Sequence, residues 1–109
     1  MLKMEKKYYK PLPKCVTIKN SEIEGLGLFA TEEIEAGVRI GRTHIKTDDA
    51  SFEDGWIRLP LGGWINHSKN PNAKFSQEGN YLFLDVLEKD ISMGEEVTAI
   101  YLWYDPTEL

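Results

Sequence analysis

The chain has 109 residues, of which 41% are hydrophobic and 28% charged, so it can form one soluble globular domain with a single modest core. Its one cysteine, Cys15, excludes a disulfide within the chain and, with only two histidines, a Cys/His zinc site of the usual tetrahedral kind. The N-terminus lacks the apolar core of a secretory signal and no apolar run approaches about 18 residues, so we expect an intracellular, by default cytoplasmic, protein.

Charge is unevenly distributed along the chain. Residues 1–14 carry five lysines and one glutamate, a charge of +4, which leaves −9 for the rest of a chain whose net charge is −5. We expect residues 1–13 to form a basic flexible arm, because Pro11 and Pro13 oppose regular structure, and residues 14–109 to form one domain. An acidic body attracts a cationic partner more readily than nucleic acid, although acidity also serves simply to keep a small domain soluble.

Short apolar or alternating segments separated by turns predict a mainly β domain with little helix. The segment 31–37 is too short and too close to glycine for a stable helix and is predicted to be one turn. The segment 47–55 is predicted to be a polar loop. The predicted strands are, in chain order, 14–19, 38–45, 56–59, a short piece ending at Phe75, 81–87 and 96–103.

The hydrophobic pattern also predicts which side chains face the core. In the segment 38–45 we expect Val38 and Ile40 to point inward. The segment 81–87 is apolar nearly throughout, which is typical of a strand covered on both faces. Alternation in 96–103 predicts one face shared by Val97, Ala99, Tyr101 and Trp103.

The densest run of unusual residues is LGGWINHSKNPNAKF, from Leu61 to Phe75. Its two glycines allow close approach of the backbone, and three short polar side chains, Asn66, His67 and Ser68, directly follow apolar ones. A turn at 70–72 then precedes the short strand. Polar groups beside a buried segment need partners, and a small-molecule site is one way to supply them.

Three separated pieces occur together in this order: the glycines of SEIEGLGLFATEEIEAG, the sequence NHSKNPN and the sequence GEEVTAIY. Together they resemble the SET domain of protein-lysine methyltransferases, in which G-x-G, N-H-S-x-x-P-N and G-E-E followed by a tyrosine have the same order. G-x-G alone is equally typical of an ordinary turn between strands, whereas the other two pieces are specific. The resemblance covers about 15–105, nearly the whole chain.

The resemblance implies a fold of several small curved sheets, in which the C-terminal segment threads under a loop to form a pseudoknot. It also implies S-adenosyl-L-methionine as the cofactor. Main-chain groups of Gly25, Leu26 and Gly27 would approach its amino-acid end, while the Asn66 side chain and the His67 main chain would hold its ammonium and adenine ends. His67 is not expected to be a general base. Glu95 and Glu96 are interpreted as structural residues that close a turn.

The implied reaction is an in-line displacement, in which Tyr101 orients a neutral lysine amine in a narrow tunnel. From its position alone Tyr101 would be interpreted as an inward core residue; the other motifs of the resemblance reverse that preference. Phe75 would form a wall of that tunnel, and the absence of a hydroxyl there suggests that a second or third methyl is accepted. Trp103 would contact the cofactor and Tyr104 the substrate, or both would pack as surface aromatics near the chain end.

The chain departs from the larger members of the family. It lacks their cysteine-rich flanks, so no zinc cluster is implied, and the segment 47–60 is short where they form one wall of the peptide groove. Gly63-Trp64-Ile65 stands where an arginine often precedes N-H-S. These features resemble the minimal SET proteins of viruses, phages and bacteria. A homodimer could complete the groove.

The resemblance favours methyl transfer to a lysine in a basic segment of a histone or another protein, and the chain's own lysine-rich arm is a further candidate. Such a substrate would place the protein in the host nucleus if it came from a eukaryotic virus. Two other functions stay open: a non-catalytic SET-like module that binds basic peptides, and a nucleic-acid-binding protein that uses the arm. The charge of −9 on the body argues against the second.

Overall fold

The computed structural model describes residues 12–49 and 55–100. These residues form short β-strands and one turn of 3-10 helix, which confirms the predicted mainly β class. None of their helical segments is long and apolar enough to cross a membrane. The elements are, in chain order, β1 (Val16–Asn20), β2 (Leu26–Ala30), β3 (Arg39–Lys46), β4 (Trp56–Arg58), a 3-10 turn (Pro60–Gly63), β5 (Asn66–His67), β6 (Ala73–Glu78), β7 (Tyr81–Val86) and β8 (Glu96–Ala99).

The strands make two four-stranded sheets. The first has the order β1-β2-β8-β5 and the second has the order β4-β3-β7-β6. Every neighbouring pair is antiparallel except β5 and β8, which run parallel. Strand β8, near the end of the chain, therefore lies between two strands from much earlier in the sequence.

Both sheets contribute to one hydrophobic core. Leu28 from β2, Leu84 from β7 and Val97 from β8 are fully buried within it. A single bridge between Ile34 and Ile91 joins the turn at 31–37 to the segment before β8, and both of these isoleucines are buried. As predicted, the segment 31–37 contains no helix and turns at 36–37, and its buried Ile34 attaches it to the core.

Strand β2 is a strand that the hydrophobic pattern did not predict. It pairs along its whole length with β1, from Val16 opposite Ala30 to Asn20 opposite Leu26. Glycine is depleted in strands, so LGLFA carries a weak intrinsic signal. Here the pairing to neighbours on both sides decides the conformation, because β2 also pairs with β8.

Two predictions about side-chain direction are wrong. Val38 is 38% exposed, because β3 begins only at Arg39, while Ile40 is buried as predicted. Strand β7 buries only alternate residues, so one of its faces meets the core and the other does not. On that outer face the guanidinium of Arg39 lies 4.1 Å from the ring centroid of Phe83. Arginine stacking covers the apolar rings where a second layer of protein was expected.

Arg39 also anchors the outer face electrostatically. Its Nε and Nη2 donate to the two carboxylate oxygens of Asp85 at 2.8 and 3.1 Å, and its Nη1 donates to Glu78. The hydrogen bonds from Arg39 are the main cause of a pKa for Asp85 below its usual value. The ion pair between Arg39 and Asp85 therefore links β3 to β7.

The limits of the domain are partly outside the described residues. Leu12 and Pro13 are half-buried and Leu12 packs against the core, so these two residues of the predicted arm take part in the domain's packing. Residues 1–11, which hold the rest of the arm, lie outside the described part of the chain. The same is true of residues 101–109, which belong to the segment predicted to form the pseudoknot.

The 3-10 turn packs closely on β3, and Gly62 is the reason it can. A Cβ at position 62 would overlap the carbonyl oxygen of Thr43 and lie 3.1 Å from Cε1 of His44. The same carbonyl accepts a hydrogen bond from the amide of Leu59 at 2.8 Å, so it cannot easily move away. At Gly63 the nearest atom to such a Cβ would be 3.7 Å away, which is ordinary contact.

We expect Gly62→Ala to lower the free energy of unfolding by about 1–3 kcal/mol, because the added methyl group overfills a packed backbone contact. Gly63→Ala is the matched control and should change it by less than about 1 kcal/mol. Urea unfolding followed by circular dichroism measures both. Equal effects of the two substitutions would contradict this account of the turn.

Candidate functional site

Strand β8 brings separated segments of the chain to one place. It pairs antiparallel with β2, where Phe29 lies opposite Glu96, and parallel with β5, where Asn66 lies opposite Thr98. The G-x-G piece, the N-H-S piece and the G-E-E piece therefore lie on adjacent strands or at their ends. This juxtaposition creates the candidate site.

The carboxamide of Asn66 is the centre of the site. Its Nδ2 donates to three acceptors: the carbonyl oxygens of Glu24 and Leu26, each at 3.2 Å, and Oε2 of Glu96 at 2.8 Å. A side-chain amide nitrogen has two protons, so the donor capacity of Nδ2 is fully used. None of the residues that the structure describes donates to Oδ1 of Asn66.

Glu96 has a different role from the one predicted for it. Glu95 does close the turn, since its Oε1 accepts from the backbone amide of Ser92 at 2.9 Å. Glu96 instead reaches β5 and the turn that follows β1, where it accepts from Asn66 and, at 2.8 Å, from Oγ of Ser21. It is half-buried, and the described residues offer it no cationic partner.

Gly27 permits the close approach of these groups. A Cβ at position 27 would overlap Oε2 of Glu96 and lie 3.0 Å from Nδ2 of Asn66. Gly25 precedes it with a φ of +42°, in the left-handed region that favours glycine. The Leu26 side chain between them is 45% exposed, so its backbone rather than its side chain takes part in the site.

Ser21 connects the turn before the glycines to this network. Its Oγ accepts from the amide of Ile23 at 2.9 Å while donating to Glu96. Neither Ser21 nor Glu96 was predicted as a site residue. The signal available in the sequence was a charged residue, Glu96, placed directly before the apolar alternation of Val97 and Ala99.

Asn72, the last residue of N-H-S-x-x-P-N, holds strand β8 in place. Its Oδ1 accepts from the amide of Thr98 at 2.9 Å, and its Nδ2 donates to the carbonyl of Glu96 at 2.7 Å. The side-chain amide thus makes the pair of bonds that a neighbouring strand would make. This contact explains physically why an asparagine at this spacing accompanies G-E-E.

His67 and Ser68 continue the attachment to β8. His67 lies opposite Ala99 in the parallel pairing, and the amide of Ser68 donates to the carbonyl of Ala99 at 3.1 Å. Oγ of Ser68 accepts from the amide of Asn70 at 3.0 Å, which shapes the predicted turn. The imidazole of His67 is half-buried, and its backbone lies one residue beyond Asn66 at the edge of the site.

Phe75 lies in the core, where it is 5% exposed. Its ring meets that of His44 edge-on, with the centroids 5.8 Å apart, and His44 in turn meets Trp56 at 6.5 Å. Nδ1 of His44 lies 2.9 Å from Oγ1 of the buried Thr43. The described contacts place Phe75 in this aromatic cluster.

Three predicted site residues lie outside the described part of the chain. They are Tyr101, Trp103 and Tyr104, which follow the last described residue, Ile100. Among the residues the structure does describe, Gly25, Leu26, Gly27, Asn66 and His67 come together, and Phe75 lies in the aromatic cluster with His44 and Trp56. The described residues contain no group of three or more His, Cys, Asp or Glu that could hold a metal ion.

Comparison with known proteins identifies the fold. No protein-family model and no curated protein sequence matches the chain. A Plasmodium falciparum protein assigned as a histone methyltransferase matches with a TM-score of 0.68 and 21% identity, covering 83% of this chain and 95% of that one. The methyltransferase domain of human PR domain-containing protein 2 matches with a TM-score of 0.60 and 17% identity, covering 90% and 84%. The fold is that of a SET domain.

A third match comes from a much larger assembly. Chaetomium thermophilum Polycomb Repressive Complex 2 matches with a TM-score of 0.66 and 23% identity over 86% of this chain, but over only 16% of the matched chain. At these identities the likeness concerns the fold. Within this SET domain, the contacts among Gly27, Asn66 and Glu96 form the candidate site.

We expect Asn72→Ala to destabilise the SET domain, because it leaves the Thr98 amide and the Glu96 carbonyl without their partner. An unsatisfied buried polar group costs about 1–3 kcal/mol, so urea unfolding should show a loss of that size or larger. Asn70→Ala, at an exposed turn position with no side-chain hydrogen bond, is the control and should be nearly neutral. A loss in Asn72→Ala no larger than in Asn70→Ala would show that the side chain does not hold β8.

Proposed function

We propose that this SET domain is a protein-lysine methyltransferase that uses S-adenosyl-L-methionine. The observation that carries the proposal is the convergence of Gly27, Asn66 and Glu96, where no described residue donates to Oδ1 of Asn66 or pairs a cation with the Glu96 carboxylate. Two of the structures that match are named for methyltransferase activity, which supports the same reaction.

The described residues fit a ligand that carries an ammonium group. Among the described residues no donor reaches Oδ1 of Asn66 and no cation pairs with the Glu96 carboxylate beside this amide, while Leu26 is 45% exposed. A cation next to such groups gains hydrogen bonds and charge complementarity together. Positively charged side chains that could compete for the site are not bonded to any of these groups in the described chain.

The cofactor would be held by residues from all three pieces. Gly25, Leu26 and Gly27 would offer main-chain groups, Asn66 its side-chain oxygen, and His67 its main chain. Trp103 would add an aromatic contact. When bound, S-adenosyl-L-methionine supplies a methyl group on a sulfonium cation.

Tyr101 would orient the substrate amine. A lysine amine attacks only in its neutral form, and burial in a narrow channel favours that form by disfavouring charge. A positioned phenol can accept or donate one hydrogen bond to the amine and so fix its direction of attack. Tyr104 would contact the substrate near the same channel, and Phe75 would form part of the channel's wall from the core side.

The substrate would be a lysine within a basic segment of a protein. The chain outside residues 1–14 carries −9, which attracts lysine- and arginine-rich segments, histones among them. The chain's own residues 1–14, with five lysines, have the same character. Either source presents the amine in surroundings that an acidic surface binds.

Transfer of label from S-adenosyl-L-methionine tests the reaction. We expect wild type to label histones, itself or both, and Tyr101→Phe to reduce the rate by roughly 10²-fold, the usual effect of removing one positioned hydrogen-bonding group. Tyr81→Phe removes a hydroxyl from the outer face of β7 and is the matched control. Absence of label in every wild-type reaction, with no binding of the cofactor by calorimetry, would refute the proposal in favour of a non-catalytic SET-like module.

The number of methyl groups tests the assignment of Phe75. A channel wall without a hydroxyl leaves room beside the amine, so we expect wild type to form di- or trimethyl-lysine and Phe75→Tyr to stop earlier. Mass spectrometry of the product measures the distribution. Phe83→Tyr adds the same hydroxyl on the outer face of β7 and should leave the distribution unchanged. A wild-type product that stops at one methyl, with Phe75→Tyr no different, would remove Phe75 from the channel.

A further inference from the structure

Glu96 is a half-buried carboxylate that is surrounded by neutral donors. Its Oε1 and Oε2 both accept from Oγ of Ser21, at 2.8 and 3.0 Å, and Oε2 also accepts from Nδ2 of Asn66 at 2.8 Å. The backbone of Gly27 lies directly against Oε2. Among the described residues no cation pairs with this half-buried charge, so neutral hydrogen bonds alone hold it in place.

The surroundings of the Asn66 amide fix which of its two ends faces the site. The Glu24 and Leu26 carbonyls and the Glu96 carboxylate all lie within 3.2 Å of Nδ2, and none of them can donate a proton. Rotating the amide by 180° would place Oδ1 against all three acceptors. The shortest and only charged contact of the three is the one to Glu96, so this residue contributes most to the preference.

We propose that Glu96 is a positioning residue, whose carboxylate holds the Asn66 amide with Oδ1 turned toward the ammonium group of the cofactor. The inference rests on the proposed function, because the cofactor assigned there supplies that ammonium. Ser21 fixes the carboxylate from the other side. Among the described residues, the side chain of Glu95, one residue earlier, accepts hydrogen bonds only from the Ser92 amide of its own turn and, at 3.5 Å, from Nδ2 of Asn72.

Two conservative variants separate positioning from simple attraction between charges. Glu96→Gln keeps the reach: its Oε1 can accept from Asn66 while its Nε2 donates to Ser21, but the charge is lost. Glu96→Asp keeps the charge, but its side chain is one methylene shorter and cannot maintain the 2.8 Å contact with Asn66. If Glu96 acts by positioning Asn66, Glu96→Asp must lose more affinity for the cofactor than Glu96→Gln does.

Calorimetric titration with S-adenosylhomocysteine measures this difference, because that molecule carries the ammonium group but no sulfonium. We expect Glu96→Asp to weaken binding about tenfold or more, as for the loss of a hydrogen bond to a charged group, and Glu96→Gln, which loses the charge but keeps the contact, to weaken it by less. Equal losses in the two variants would overturn the proposal. Glu95→Gln is the matched control and should bind as wild type does. The reverse order, with Glu96→Gln weak and Glu96→Asp normal, would overturn the proposal, and so would normal binding by both.

The Asn66 side chain provides a second test of the same contact. If Glu96 acts through Asn66, then Glu96→Asp should weaken binding in the wild-type background but cause no further loss in Asn66→Ala. Losses that simply multiply would show that Glu96 acts independently of the amide and would overturn the proposal. Thermal unfolding of each variant establishes that it is folded before binding is compared.

A measurement without ligand separates this inference from the proposed function. In the free protein, nuclear magnetic resonance should show the side-chain amide protons of Asn66 exchanging slowly with water in wild type and Glu96→Gln, and faster in Glu96→Asp. Unchanged exchange in Glu96→Asp would overturn the positioning role even if the cofactor binds. Conversely, slow exchange in a wild type that binds no S-adenosylhomocysteine would refute the proposed function and leave the Glu96–Asn66 contact established.

Discussion

The position of strand β8 between β2 and β5 is the constraint on which the candidate site depends. A strand of four residues has few backbone hydrogen bonds of its own, and β5 beside it has only two residues. Side chains make up the difference, since the Asn72 amide bonds to two backbone groups of β8 as a neighbouring strand would. Removing β8 from this position would separate Gly27, Asn66 and Glu96 at once.

The same arrangement explains why the site is polar although it adjoins the core. Val97 and Ala99 of β8 are fully buried, whereas Glu96 begins the strand where the sheet reaches the surface. Its carboxylate has hydrogen-bond donors but no counter-ion among the described residues, so the site carries uncompensated negative charge. A cationic ligand would neutralise part of that charge, so its binding would also stabilise the folded domain.

Much of the fold and part of the site could be predicted from the sequence, and the limits have physical causes. The mainly β class followed from alternation and turns, and Asn66 and His67 followed from polar residues placed directly after buried ones. Strand β2 was missed because glycine lacks strand propensity, and only its pairing with β1 and β8 makes it extended. Glu96 was assigned to the turn, because sequence distance favours local contacts and its partner Asn66 is 30 positions away.

The two sheets have different roles: one mainly packs the core, and the other carries the candidate site. The sheet of β4, β3, β7 and β6 buries Leu84 and Phe75 on one face and covers its other face with arginines, so its contacts serve mainly to hold the core together. The sheet of β1, β2, β8 and β5 carries the polar network of Ser21, Glu96 and Asn66 at its surface end. Glu96 is half-buried and, among the described residues, is held by neutral hydrogen bonds alone. The close packing of Gly62 on β3 belongs to the other sheet and to the contacts that hold the core together.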